Sequence, residues 1–139
     1  IVSLANKIET DLVEGIEIIN ISTINALVAS NEVMIPIKID EFAFDGLKEL
    51  VDQINNTKVD LNENLVFRGC FVTSYVNNEV NRQGKEWLKE SNYKVFDSHI
   101  RRTEKIDEST FAKMPINLYS KRCGAAVDYK RLVEEYLSL

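Results

Sequence analysis

The chain is poor in the residues that staple small secreted or metal-bound folds. Its two cysteines, Cys70 and Cys123, are too few for a disulfide framework and lack metal-ligand spacing. Cys70 sits in the apolar run LVFRGCFV and reads as a buried, reduced thiol. The single histidine, His99, has no serine or cysteine partner motif, so no catalytic triad can be argued, and it reads as a strand-end residue. All five glycines, at positions 15, 46, 69, 84 and 124, are isolated. None opens a strand–glycine-loop–helix segment of the kind that folds backbone against a phosphate. No run approaches the ~20 apolar residues of a membrane span. The opening IVSLANKIETD has no basic stretch followed by an apolar one, so it does not read as a secretory signal. Repeats and low-complexity linkers are missing too. These absences leave a cytoplasmic globular protein as the expectation, with no metal site among its own residues.

What remains is ordinary in amount and uneven in placement. At 139 residues the chain reads as a single α/β domain, 1–139, with 45% hydrophobic and 28% charged residues. That length removes roughly two-thirds of the unfolded surface from water. The net charge of −5 hides an asymmetry: residues 1–60 carry 4 basic and 11 acidic side chains. Between Arg82 and Arg131 there are 12 basic against 7 acidic. Such a division marks either a basic face for nucleic acid or another anion, or a solvated mixed surface.

The most informative stretch is STINALVASNEVMIPIKIDEFAFDGLKEL, Ser22 to Leu50. It predicts a helix capped by Ser22 and running to Ala29, a buried strand over Val33–Ile39, and a second helix capped by Asp40. Leu47, Leu50, Val51 and Ile54 recur at helical spacing, and Asn55-Asn56-Thr57 is expected to end that helix. Pro36 lies within the strand. Proline has no N–H for a sheet ladder, so the strand is expected to stop there and deliver its next residues to the sheet rim. In open α/β sheets that rim, at the carboxyl ends of the strands, is where ligands bind.

Further elements follow in alternation. Ile1–Leu4 reads as a short strand and Lys7–Glu17 as a weakly patterned helix or loop. Leu65–Val72 reads as a near-continuous apolar strand. Asn77 or Asn78 opens a helix with Val80, Trp87 and Leu88 in the core, closing near Ser91-Asn92. Tyr93–Phe96 reads as a short strand, Ser98–Lys113 as a polar, basic segment with one helical turn, and Met114–Leu118 as another short strand. Gly124 precedes a final helix with Tyr129, Leu132, Val133 and Tyr136 as its buried stripe and Glu134 and Glu135 as exposed charges. Helices alternating with apolar strands imply a mostly parallel sheet with helices on both faces.

The order of these pieces resembles the C-terminal half of the ParA/Soj group of deviant Walker ATPases, relatives of MinD. The Ser22–Leu50 block is similar to that family's helix–strand–helix segment, including a strand proline and a following Phe-x-x-x-Gly-Leu. LVFRGCFVTSY resembles the strand that ends in a threonine-containing loop near the nucleotide. KVFDSHIRRTEKIDESTFAKMPI resembles the Ile-Pro-Arg-Asn segment and the stretch leading to Pro-Ile. SKRCGAAVDYKRLVEEYL is similar to the closing Gly-Ala helix. The resemblance runs from Asn20 to Leu137. It departs from the family in three places: the phosphate loop Lys-Gly-Gly-x-Gly-Lys-Thr is not in the chain, EGIEIINIS stands where an Asp-x-x-Pro strand end is expected, and Arg101 replaces the proline of the Ile-Pro-Arg-Asn segment. The expectation is a chain missing internal pieces, either through truncation or because the segments are not contiguous in the intact protein.

The resemblance implies a P-loop NTPase-like fold and a partition ATPase using ATP and Mg²⁺. It also implies ATP-dependent homodimerisation, non-specific DNA binding, a centromere-binding (ParB-type) partner and a cytoplasmic, nucleoid-associated location. By the same resemblance Lys7 matches the signature lysine that reaches a partner's nucleotide, the alternative being a solvated lysine. Thr73 would face base or ribose, or cap the following turn. Arg102 and Pro115 would lie near the base, and Arg101, Arg102 and Lys105 would contact DNA phosphates, with Lys85, Lys89, Lys121 and Arg122 extending the patch. Asp40 and Asp45 would lie near the nucleotide and the dimer seam. Without the glycines this chain is expected to bind triphosphate poorly and to hydrolyse it negligibly. Two other functions stay open: a non-catalytic α/β remnant or adapter, and a MinD-like ATPase. The last is disfavoured because the tail RLVEEYLSL carries two glutamates instead of a basic membrane-seeking face.

Overall fold

The computed structural model describes residues 21–40 and 42–139. The expected opening strand, the polar segment Lys7–Glu17 and Lys7 itself lie outside them. The elements in chain order are α1 (Ile21–Val28), β1 (Glu32–Lys38), α2 (Ala43–Asp60), β2 (Val66–Tyr75), α3 (Glu79–Glu90), β3 (Val95–Arg101), α4 (Glu104–Phe111), α5 (Ile116–Tyr119) and α6 (Gly124–Leu137). The strands run parallel in the order β1-β2-β3, so the expected α/β class holds. The described residues fall into two compact units: those up to Ile35 with Asp40–Gly69, and Pro36–Ile39 with Cys70–Leu139.

In the first unit α1 packs on α2. α1 is already helical at Ile21, so Ser22 sits inside the first turn instead of capping it. Asp40 does not occupy the cap position of α2 either, which is Phe42 with no side-chain cap bond; from two residues further out its Oδ1 accepts the Ala43 N–H at 3.0 Å. The apolar stripe of α2 is buried at Leu47, Val51 and Ile54, as the spacing predicts. The helix does not end at Asn55-Asn56-Thr57 but continues to Asp60. Thr57 is three residues past Ile54 and is buried on the same face, and that burial outweighs the weak helix preference of Asn and Thr, roughly 0.5 kcal/mol each. Asn62 then closes α1 from across the unit. Its Nδ2 donates to the carbonyls of Leu27, Val28 and Ser30 at 3.1, 3.1 and 2.8 Å.

In the second unit β2 and β3 pair in parallel. β1 continues through Pro36 to Lys38, so the proline does not terminate it. β1 is outermost in the described order, a place where a strand tolerates proline. β3 is longer than the predicted Tyr93–Phe96, and His99 lies within it instead of at its end. Asn78 caps α3 by accepting the Asn81 N–H at 2.9 Å. The buried face of α3 is Gly84 and Leu88; Trp87 is 49% and Val80 65% exposed, which corrects their assignment to the core. Trp87 lies about 100° around the helix from Leu88.

Two more expectations change. Met114–Leu118 is not a strand. The N–H groups of Leu118 and Tyr119 both turn back to the Pro115 carbonyl, at 2.9 Å each, to form the single turn α5. The fixed φ of proline, here −57°, suits that start. In α6 the buried residues are Ala125, Ala126, Asp128 and Leu132, while Tyr129 and Val133 face outward. Leu132 is buried as predicted, while the buried face is widened toward Ala125, Ala126 and Asp128 in place of Tyr129 and Val133. Cys70 is buried as expected, and burial pushes its thiol up to about 12, so it stays protonated and inert.

Candidate functional site

The carboxyl ends of β2 and β3 meet in the second unit. The registers Val72↔His99 and Tyr75↔Arg101 leave one extra residue on β2. Within this bulge Ser74 has φ 50°, a left-handed backbone that costs a non-glycine residue roughly 1 kcal/mol or more. Bulges of this kind re-aim side chains at the ends of strands. Thr73, just before it, is half-buried. The Tyr75 carbonyl beyond it accepts the Arg102 N–H at 2.9 Å and ties the two strand ends together.

Arg101, though half exposed, is engaged with α6. Its backbone N–H, Nε and Nη2 all donate to Asp128 of α6, at 3.1, 2.6 and 2.9 Å. Asp128 is 4% exposed. Burial alone would raise its pKa, but the hydrogen bonds and charge of Arg101 outweigh burial and hold the carboxyl below its usual range. A side chain built on Gly124 would meet the Arg101 guanidinium at 2.7 Å, so Arg101 would have to move to admit one. Lys105 is engaged as well: Glu108 Oε2 accepts from Lys105 Nζ at 2.7 Å and from the Tyr119 hydroxyl at 2.9 Å. Arg102 is exposed and, among the described residues, makes no ion pair.

The structure therefore brings Arg101, Arg102 and Lys105 to one strand-to-helix junction and, among the described residues, gives an ion-pair partner to Arg101 and Lys105 but not to Arg102. Thr103 caps the next helix there, its side chain accepting the Lys105 N–H at 3.4 Å. Pro115 stands exposed at the start of α5, and no described hydrogen bond joins it to Thr73 or Arg102. Lys89 pairs with Asp97, and Lys85 is partly buried against β3, so neither simply extends a basic patch; Lys121 and Arg122 are exposed. A cleft of about 410 Å³ lies between β3 and α6 (Asp97, Ser98, His99, Arg101, Asp128, Arg131), and one of about 250 Å³ is lined by α3 and the end of β2 (Tyr75, Arg82, Lys85, Glu86, Lys89). Neither includes Thr73, Arg102 or Pro115.

Two acidic residues matter more than their sequence context suggested. Glu135, expected as an exposed helix charge, accepts the Asp97 and Ser98 N–H groups at 2.7 and 2.8 Å. Those two donors plus burial set its carboxyl: burial raises it, the hydrogen bonds win, and it lies below the usual range. Asp128 and Glu135 together bind β3 to α6. The one available signal was their spacing of seven residues, two turns on one helix face.

The residues present do not fit a whole triphosphate site. No glycine-rich loop occurs in the sequence, and no group of three or more His, Cys, Asp or Glu among the described residues could hold a metal ion. No hydrolytic step can be built on the described side chains.

Comparison with known proteins agrees with this partial character. Residues 15–67 match the AAA domain family. The chain is 32% identical over 125 residues to the chromosome-partitioning ATPase Soj of Treponema pallidum, covering 86% of this chain and 48% of the relative. It is 30% identical over 122 residues to the chromosome partitioning protein ParA of Caulobacter vibrioides, covering 86% and 46%. Among solved structures, cobyrinic acid a,c-diamide synthase from Mycobacterium smegmatis matches with a TM-score of 0.61 at 19% identity, covering 78% of this chain and 38% of that one, and this likeness shows the shared fold. The chain spans about half the length of the curated relatives it matches. The resemblance first read from the Ser22–Leu50 block is thus a sequence relationship over most of the chain: it is related to the ParA/Soj-type partition ATPases, through roughly half of a whole relative.

Proposed function

We propose that this chain supplies one half of a ParA/Soj-type partition ATPase, the half that flanks the nucleotide base and meets DNA. The observation that carries the reading is the identity of about 30% to partition proteins over 86% of the chain. The bulge at Ser74 supports the location, because strained backbone at the carboxyl end of a parallel strand is where α/β folds place ligands. In this reading Thr73, Arg102 and Pro115 line the base side of an ATP site. Lys7 reaches a partner's nucleotide within a homodimer. The phosphate cradle and the Mg²⁺ ligands come from sequence outside these residues. Arg102 leads the DNA contact, with Arg101 and Lys105 shaping its surroundings. A centromere-binding partner, a cytoplasmic location and nucleoid association belong to the same reading.

Fluorescence anisotropy with a long random-sequence duplex tests it. Binding is expected to weaken steeply between about 50 and 200 mM salt, as counterion release demands. A flat salt response removes the DNA half of the proposal. ATP turnover by this chain alone is expected to be negligible, because the loop that would fold around the phosphates is not in it. Turnover comparable to that of a whole partition ATPase would overturn the assignment of roles. The isolated glycines favour one second reading, a non-catalytic α/β adapter that keeps the shape and an interaction surface. It predicts neither DNA affinity nor nucleotide affinity.

A further inference from the structure

The single histidine sits in a contact that its protonation state must control. The His99 ring lies against Tyr75 of β2, with centroids 4.1 Å apart and planes inclined by 46°. Its Nδ1 is 3.0 Å from Lys85 Nζ of α3, and the same ammonium donates to the Asp97 carbonyl at 2.6 Å. An ammonium has donors only, so this contact needs a lone pair on Nδ1. The imidazole is then neutral, with its proton on Nε2. A second proton would place an N–H against the ammonium, two cations at hydrogen-bond distance competing for the Asp97 carbonyl that Lys85 already occupies.

The surrounding charges do not relieve that clash. From α3 come Lys85 and Lys89, the latter paired with the Asp97 carboxylate. From β3 itself come Asp97 and Arg101, from β2 the Tyr75 hydroxyl, and from α6 Asp128 and Glu135. Asp128 is closed by Arg101 and Glu135 by two backbone N–H groups, so neither carboxylate is committed to Lys85 among the described residues. Burial and the Lys85 charge push His99 below the ordinary imidazole range, with Asp128 and the Asp97 carbonyl partly opposing.

We propose that Lys85 and His99 form an acid-released latch between α3 and β3. Neutral His99 holds the ammonium on the Asp97 carbonyl, and a second imidazole proton lets it go. Release frees an ammonium at the wall of the cleft lined by Tyr75, Arg82, Lys85, Glu86 and Lys89, so acid both loosens α3 and makes that cleft more cationic. The latch rests on this contact alone and does not depend on the partition reading.

Because the chain has one histidine, nuclear magnetic resonance reads it without ambiguity. In the full chain at about pH 8, above the ordinary imidazole value near 6.5, the ring nitrogens are expected to show the Nε2–H tautomer. On acidification the amide signals of Lys85, Asp97 and Ser98 are expected to move with the imidazole midpoint. Lys85→Met is expected to shift that midpoint upward, and His99→Gln to remove it from the amide signals. An Nδ1–H tautomer in the unaltered protein overturns the proposal, and that measurement needs no variant to fold. So does a midpoint that Lys85→Met leaves in place.

Discussion

Lys113 occupies a conformation that glycine adopts more readily. Its φ is 52°, and it follows α4 in a Schellman arrangement: its N–H meets the Thr110 carbonyl at 3.0 Å and the Met114 N–H meets Ser109 at 2.9 Å. Left-handed backbone costs a lysine roughly 1 kcal/mol, part of which glycine returns through its freer unfolded state. Lys113→Gly is therefore expected to stabilise the fold by about 0.5 kcal/mol in urea titration, and a loss of stability would contradict the cap. Asp128 works in the opposite direction. Its folded pKa is depressed, so its contribution is present above the unfolded carboxyl value near 3.9 and is lost as pH falls through the folded value. Asp128→Asn is expected to cost about 1–3 kcal/mol near neutrality and to flatten the fall in stability below about pH 4. An unchanged acid limb would show that the Arg101 pairing carries no linkage.

At the scale of elements, α3 depends on close approach. A Cβ on Gly84 would lie 2.4 Å from Ile39 Cγ2, inside any real contact. Alanine would add about 1 kcal/mol of helix preference there, but overpacking costs about 1–3 kcal/mol. Gly84→Ala is expected to lower the melting temperature; a rise would mean that α3 can shift outward freely. The sequence made α2 readable because its stripe of Leu47, Val51 and Ile54 is local and apolar. It misled on α6 because a buried Asp128 is improbable until Arg101, 27 residues earlier, is known to meet it. A still greater separation along the chain, 38 and 37 residues, hid Glu135, whose partners lie in β3. Met114–Leu118 reads equally well as strand or helix over so short a run, and Pro115 decided the matter.

At the scale of the whole chain, charge counts overstate what can reach DNA. The junction after β3 looked like three free cations, yet Asp128 and Glu108 occupy two of them. If DNA binding is observed, Arg102→Ala is expected to reduce the slope of log affinity against log salt by about 1, while Lys105→Ala changes it little. Equal effects would place the phosphate contact elsewhere on the surface.

Alternating apolar runs and helical stripes were enough to specify an α/β chain, and the motif order was enough to reach its relatives, because burial of nearby side chains and strand or helix period are properties of short segments. Which charges are spent internally was a different matter. Asp128, Glu135, Lys85 and His99 acquire their roles only when α3 and α6 pack on β3, since a charge's partner is fixed by proximity in space and not by spacing along the chain.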